Sequence, residues 1–127
     1  MDIYREEILE RYSNPHNFGE LENPNGTALV VNTSCGDSIG IFIKIDNGGI
    51  LKDIKFKGVG CAISKASVDI LIDKVKGKKV SVVKKISAED VLKNANLVLS
   101  PSRIKCGLMG WEALIKAIEN YESNKKN

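Results

Sequence analysis

The sequence has little of what marks many metal-binding and membrane proteins. It holds three cysteines and one histidine in 127 residues, and no two cysteines form the CxxC pair typical of zinc ribbons and ferredoxins. Three separate thiols cannot all pair with one another, so a disulfide framework is not indicated. No apolar run approaches the roughly 20 residues that cross a bilayer. The net charge of +3 demands no polyanionic partner.

Length and composition predict one ordinary globular domain covering residues 1–127. The apolar fraction of 43% and charged fraction of 28% are typical of such domains. The N-terminal segment 1–7 lacks the basic-then-apolar order of a secretory signal, so we expect a cytoplasmic protein with reduced thiols and no membrane partner. The lysine-rich segment 74–85 is typical of a solvated face or of docking to an acidic partner. Without an aromatic platform it does not predict nucleic-acid binding.

Three β-like runs in close succession predict a small antiparallel sheet. They cover residues 27–33, 39–45 and 50–59, and Asn47-Gly48-Gly49 is a hairpin signal between the last two. In the third run, apolar residues alternate with lysine and aspartate, which indicates one solvated face. Three strands in meander order therefore predict an antiparallel sheet with a single buried face.

Helical spacing on both sides of these strands predicts the rest of the fold. We expect helices over residues 3–12 and 63–75, a short one within 78–86, and another over 87–97. The last helix is the clearest, because six apolar residues share one face: Ile104, Leu108, Trp111, Leu114, Ile115 and Ile118. The sequence thus predicts an α+β domain with helices packed on one face of a three-stranded antiparallel sheet.

Each cysteine has a local context that suits a thiolate. Cys35 opens a glycine turn, Cys61 immediately precedes a helical pattern, and Cys106 lies in the predicted first turn of the last helix. Unpaired N–H groups at a helix N-terminus favour an anion. Glycine beside each sulfur provides either backbone freedom for a bulky ligand or plain turn geometry, with about equal weight. From spacing alone, packing and metal binding are also about equally favoured.

Two charged residues lie next to these cysteines in the sequence. Asp37 is the natural fourth ligand, and a hard carboxylate beside three soft sulfurs would make a labile centre. Its plain alternative is a turn cap. Lys105 could offset negative charge beside Cys106, although a surface lysine needs no special explanation. Cys35, Asp37, Cys61 and Cys106 would together form a four-ligand site for a soft metal or an iron–sulfur centre.

Four motifs follow one another along almost the whole chain. They are Tyr12-Ser13-Asn14-Pro15-His16-Asn17-Phe18-Gly19, Asn32-Thr33-Ser34-Cys35-Gly36-Asp37, the segment from Phe56 to Ser67, and Arg103-Ile104-Lys105-Cys106. Together they resemble the iron–sulfur cluster scaffold family, which comprises the IscU-type proteins and the N-terminal domain of NifU. Four motifs in order and with compatible spacing make the resemblance specific.

The resemblance implies a scaffold and carrier, not an enzyme. Such proteins accept sulfur from a cysteine desulfurase, assemble a transient [2Fe-2S] cluster and transfer it to apo-proteins. The family implies a cluster site at one exposed end of the sheet. Cys35, Cys61 and Cys106 carry over as ligands and sulfur acceptors, and Asp37 as the aspartate linked to cluster lability. A homodimer is left open.

Two departures from the family pattern change what we expect. Many members have His before the third cysteine, whereas Lys105 carries an ammonium that is a poor ligand, so Asp37 is the expected fourth ligand. The family's chaperone-recognition stretch, Leu-Pro-Pro-Val-Lys, is replaced by Leu99-Ser100-Pro101-Ser102-Arg103. Dependence on a dedicated Hsp70-type chaperone is therefore not predicted.

The alternative is the SufU branch, whose members bind zinc and act as sulfurtransferase partners of a desulfurase. That branch also has Lys before the third cysteine, which matches Lys105. It carries an insertion between the second and third cysteines, whereas only 44 residues separate Cys61 and Cys106 here. The spacing favours the uninserted scaffold type. In this type, zinc is a possible substitute for the cluster when the cluster is absent.

Overall fold

A computed structural model describes residues 3–34, 36–94 and 101–125. The strands are β1 (Gly26–Asn32), β2 (Asp37–Ile45) and β3 (Leu51–Val59). They form an antiparallel sheet in the order β1-β2-β3. The helices are α1 (Ile3–Ser13), α2 (Ala62–Val75), α3 (Val80–Val83), α4 (Ala88–Asn94) and α5 (Pro101–Lys125). The predicted α+β fold with a three-stranded antiparallel sheet is confirmed.

One face of the sheet forms the core and the other faces solvent. Ile39, Ile41 and Ile43 alternate along β2 and are fully buried, as the period of two in a strand requires. Helices α2 and α5 pack against this buried face. On the opposite face, apolar side chains of β1 and β3 remain exposed, among them Leu29, Val31 and Val59. The helices therefore cover one face only, as predicted.

Helix boundaries follow the breaker residues in the sequence. Helix α1 ends at Ser13, directly before the Asn14-Pro15 pair. Beyond the end of α2, Gly77 has φ +88°, a left-handed conformation that glycine adopts without steric cost. The predicted helix over 87–97 is present as α4, but Ala95 and Leu97 lie outside the described residues. Among the helices of the described ranges, none is long and apolar enough to cross a membrane.

Helix α5 packs through a face that partly differs from the predicted one. Leu114 and Ile118 are buried as expected, and the half-buried Leu108 and Trp111 also pack against the core. Ile104 and Ile115 are only half-buried. Small residues line the contact between α5 and α2. At Gly110, for example, a Cβ atom would overlap the Val68 side chain of α2. Hydrophobic spacing overlooks glycine as a contact residue, so it misplaced part of this face. The close crossing brings α5 against α2.

Candidate metal centre

Three predicted ligand residues meet where β2 and α2 begin. Asp37 is the first residue of β2, Cys61 is the N-cap residue of α2, and Cys106 lies on α5. A carboxylate oxygen of Asp37 and the two cysteine sulfurs all lie within 4.8 Å of one another. All three residues are half-buried. The fold thus brings together side chains that are far apart in sequence, with part of each still accessible.

Cys35 lies outside the described residues, so its role as a ligand stays a prediction. Its chain neighbours belong to the turn between β1 and β2, where the Gly36 N–H donates to the Asn32 carbonyl oxygen at 2.8 Å. The Ser34 N–H donates to the Asn32 side-chain oxygen at 3.1 Å. Gly36 has φ +78°, a left-handed conformation that favours glycine. This turn leads directly into Asp37.

Cys61 is held at the start of α2 by Ser64. The N-cap position is confirmed by extended backbone angles at Cys61, φ −77° and ψ 171°. Ser64 is fully buried, and its hydroxyl donates to the Cys61 carbonyl oxygen at 3.1 Å. The same hydroxyl oxygen lies 3.7 Å from the Cys61 sulfur. The sequence predicted no role for Ser64, because a serine at this position lacks the carboxylate or amide of a capping box.

The prediction that Cys106 lies in the first turn of the last helix is wrong. Helix α5 begins at Pro101, so Cys106 is beyond the first turn, where the helix N-terminus has little effect. Cys106 reaches the site for a different reason, since α5 crosses α2 closely at Gly110, one turn further along.

The glycines beside Cys61 are explained by close packing. A Cβ atom on Gly60 would overlap the Ser64 hydroxyl and would lie 3.6 Å from an oxygen of Asp37. Gly58 has φ +156°, and a Cβ atom there would overlap the Ser38 carbonyl group. Close packing, which the sequence did not indicate, therefore accounts for glycine at both positions. The absence of side chains lets β3, β2 and the start of α2 converge.

Lys105 lies next to the turn between β1 and β2, beside the candidate centre. It is exposed and lines a cleft of about 300 Å³ together with Thr33, Ser34 and Glu112. It forms no ion pair within the described ranges. Lys105 therefore borders the turn that precedes Asp37.

Comparison with known proteins gives this arrangement its family. The sequence profile of the NifU-like N-terminal domain matches residues 3–127. The chain belongs to this family. It is 32% identical over 126 residues to the iron-sulfur cluster assembly scaffold protein IscU of Escherichia coli K12, with 97% of each chain covered. It is 34% identical to the iron-sulfur cluster assembly enzyme IscU of Drosophila melanogaster, covering 94% of this chain and 79% of that one.

Solved structures support the same fold for this NifU-like domain. A Fervidobacterium islandicum protein, described as an iron-sulfur cluster assembly scaffold for the SUF system, superimposes with a TM-score of 0.78 at 28% identity. That match covers 89% of this chain and 94% of the other. A NifU-like N-terminal domain from Brucella abortus has a TM-score of 0.77 at 22% identity, with 95% of each chain covered. The predicted family membership is confirmed.

A second group of potential ligands joins the N-terminal loop of the NifU-like domain to α2. Ligand atoms of His16, Asp69 and Asp73 also lie within 4.8 Å of one another. A guanidinium occupies this group, because Arg11 Nη1 donates to Asp69 Oδ2 at 2.9 Å and to Asp73 Oδ2 at 2.6 Å. The cation that balances these carboxylates is thus already part of the chain.

The charges in this second group stabilise one another. Partial burial would raise the pKa of Asp73, but hydrogen bonds from Asn17 and Arg11 hold that pKa below its ordinary value. Burial would likewise lower the pKa of Arg11, but the two aspartates raise it. Asp69 was not predicted from the sequence, because a lone acidic residue in an apolar helix gives no indication of its partners. The group anchors the N-terminal loop instead of presenting a metal site.

Proposed function

We propose that this chain is a scaffold on which a transient [2Fe-2S] cluster is assembled de novo and from which it passes to apo-proteins. The proposed ligands are Cys35, Asp37, Cys61 and Cys106. The observation that carries the proposal is the convergence of one carboxylate oxygen and two sulfurs, from three separate elements, within 4.8 Å. Membership of the NifU-like family gives that convergence its chemical meaning.

The donor set suits a cargo that must be released. Thiolates bind iron–sulfur clusters strongly, whereas a carboxylate is a harder ligand and forms a weaker bond to the cluster. Half-burial of Asp37, Cys61 and Cys106 keeps part of each accessible to a partner. The site is therefore suited to a temporary cluster that an acceptor protein can reach.

Lys105 modulates the charge of the loaded site in this proposal. Three thiolates and one carboxylate carry four negative charges, while a core of two ferric ions and two sulfides carries only two positive ones. A nearby ammonium reduces the remaining excess. The position of Lys105 beside the turn before Asp37 supports this role.

Sulfur comes from a cysteine desulfurase as the outer sulfur of a persulfide, accepted by one of the cysteines. Conversion of that sulfur to sulfide takes two electrons from a separate reductant, so the chain itself acts as acceptor and carrier, not as an enzyme. Apo iron–sulfur proteins are the recipients.

A cytoplasmic location, independence of a dedicated Hsp70-type chaperone and a homodimer bridged by the cluster remain predictions. Residues 99 and 100 of the replaced chaperone motif lie outside the described residues.

The second candidate is a zinc-binding, SufU-like sulfurtransferase partner of a desulfurase. Its support is the similarity to the Fervidobacterium protein described for the SUF system, together with Lys105 before the third cysteine. The same residues would hold zinc, because three thiolates and a carboxylate also suit that metal. In this case the cysteines would relay sulfur without building a cluster.

Anaerobic reconstitution with iron, cysteine, a reductant and a cysteine desulfurase tests the proposal. A scaffold becomes red-brown, with about two irons and two sulfides per cluster and visible charge-transfer bands. Cys61→Ser and Cys106→Ser should each abolish or sharply reduce those bands. Tight colourless zinc with strong stimulation of the desulfurase would favour the second candidate. Failure to bind either metal would contradict both.

A further inference from the structure

The end of the molecule opposite the metal centre carries a concentrated positive charge. Residues 74–85 contain six lysines and no acidic residue: Lys74, Lys76, Lys78, Lys79, Lys84 and Lys85. The rest of the chain holds thirteen of the nineteen basic residues and all sixteen acidic ones, so it is net acidic. The overall net charge of +3 therefore conceals a strongly basic end on an otherwise acidic protein.

A groove with an apolar floor lies within this basic end. It has a volume of about 470 Å³ and is formed by α2, α3 and the segments that follow them. Val82 and Ile86 supply most of its accessible apolar surface, above the buried side chains of Leu71 and Val75. Lys74 and Lys78 line it as well. Val82 is 49% exposed, so part of this surface is open to solvent. Among the residues that the structure describes, no acidic side chain lines the groove.

The lysines of this groove are available for a partner. Lys76 pairs with Asp53, and Lys84 pairs with Glu122, outside the groove. Lys74 and Lys78 form no ion pair with any residue that the structure describes. Two ammoniums beside a concave apolar surface complement a ligand that carries both carboxylates and apolar side chains.

The backbone that forms one side of the groove is rigidly held. The Gly77 N–H donates to the Leu51 carbonyl oxygen at 2.8 Å, and the Leu51 N–H donates back to Lys78 at 2.9 Å. The Val80 N–H donates to the Gly49 carbonyl oxygen at 2.9 Å. These bonds fix the segment that carries Lys78 onto the β2–β3 hairpin, so little backbone ordering is needed on binding.

We propose that this groove binds an acidic amphipathic peptide segment of a partner protein, with apolar side chains on the floor and carboxylates at Lys74 and Lys78. A nucleic acid would find no aromatic side chain among the described residues of the groove on which to stack a base. A membrane surface is matched by a protruding apolar face, whereas this apolar surface is concave. The aliphatic floor with a lysine rim therefore fits a peptide best.

A partner bound in this groove would leave the metal centre open. Cys61 precedes α2, and the groove lies at the other end of this 14-residue helix, which at 1.5 Å per residue places them about 20 Å apart. The docking surface and the candidate centre are thus separate, so a tethered partner could receive or deliver material at the other end. This inference does not depend on which metal the centre holds.

Fluorescence anisotropy with a synthetic probe tests the groove. The probe is a labelled helical peptide with Leu on one face and Glu on the other, compared with a version in which every Glu is Gln. We expect binding of the acidic peptide that weakens with added salt. It should be at least about tenfold weaker for Lys74→Glu/Lys78→Glu, and also weaker for Val82→Ser. The control Lys93→Glu/Lys116→Glu has the same net charge change at exposed lysines elsewhere and should bind as wild type.

Three results would overturn the inference. One is no binding of the acidic peptide; another is equal weakening by the groove variant and its charge-matched control. The third is stronger binding of anionic lipid vesicles or duplex DNA than of the peptide, lost in the same groove variant. Circular dichroism of each variant confirms that it is folded, and Val82→Ser tests the floor without changing any charge.

Discussion

At the scale of single residues, Asp37 supplies the hard oxygen among the described candidate ligand atoms. Replacing it with alanine should lengthen the lifetime of a reconstituted cluster. The weak bond between the carboxylate and iron would be replaced by a bond to another ligand, or the site would close more tightly around the cluster. The measurement is the decay of visible absorption after a chelator is added. Glu119→Ala removes an exposed carboxylate elsewhere on α5 and should decay as wild type. An unchanged spectrum and lifetime in Asp37→Ala would remove this residue from the site.

Two buried serines of α2 make a matched pair for testing the support of Cys61. Ser64 donates to the Cys61 carbonyl oxygen, whereas the buried Ser67 hydroxyl has no hydrogen-bond partner among the described residues. Ser64→Ala should lower the free energy of unfolding by about 1 kcal/mol and change the lifetime of a reconstituted cluster. Ser67→Ala should be neutral or stabilising, with the cluster unaffected. Urea unfolding measures the stability of the two variants, and the decay of absorption after a chelator is added measures their cluster lifetimes. Equal effects of Ser64→Ala and Ser67→Ala would contradict a specific role for Ser64.

At the scale of elements, the N-terminal loop depends on one buried carboxylate. Asp69 is fully buried and accepts hydrogen bonds from the backbone N–H groups of His16 and Asn17, at 3.1 and 2.9 Å. It also accepts from the side chains of Asn17 and Arg11. Asp69→Ala should lower the free energy of unfolding by roughly 3–5 kcal/mol, because several donors lose their acceptor at about 1–3 kcal/mol for each buried one. Arg11 keeps its ion pair with Asp73. Urea unfolding measures this loss.

The loop itself offers a specific readout for the same variant. The Phe56 N–H donates to the Asn17 carbonyl oxygen, and the Gly19 N–H donates to that of Phe56, so the loop adds a short pairing to β3. Hydrogen exchange at Phe56 and Gly19 should accelerate in Asp69→Ala more than exchange in the centre of β2. Uniform acceleration, or a loss of stability below about 1 kcal/mol, would contradict an anchoring role.

Asp73 gives this anchor a dependence on acid. Its folded pKa lies below the ordinary value of 3.8, so its contribution is present above that value and is lost as the pH falls through the lower folded pKa. The side chain is 37% exposed, so solvent screening limits the contribution to about 1 kcal/mol or less. The Asp73→Asn variant should have a slightly lower free energy of unfolding than wild type at pH 6. Below pH 4, its free energy of unfolding should decline less steeply than that of wild type. Urea midpoints across this range measure it, and Glu119→Gln should retain the wild-type slope.

At the scale of the whole molecule, local patterns predicted the elements better than their contacts. Alternation marked the strands, and Asn14-Pro15 and Gly77 marked helix ends, because these signals act on neighbouring backbone. The close approach of α5 to α2 depends on Gly110 meeting Val68, a contact between distant segments that one sequence does not display. For the same reason the face of α5 and the place of Cys106 on it were partly misjudged.

The candidate centre was predicted through motifs, not through geometry. Spacing left packing and metal binding about equally favoured, and only the family resemblance separated them. The structure then brings Asp37, Cys61 and Cys106 together, while Cys35 lies outside the described residues. Ser64 and Asp69 were missed because their roles consist of hydrogen bonds to groups that only the folded chain brings close. Support around a site is therefore what the sequence predicted least.

X-ray absorption at the iron edge of the reconstituted protein tests most directly whether these residues share one cluster. The account predicts a first shell dominated by sulfur, an iron neighbour at the distance of a two-iron core, and a minor oxygen contribution that disappears in Asp37→Ala. An all-sulfur shell that Asp37→Ala leaves unchanged, or isolated irons without an iron neighbour, would contradict it.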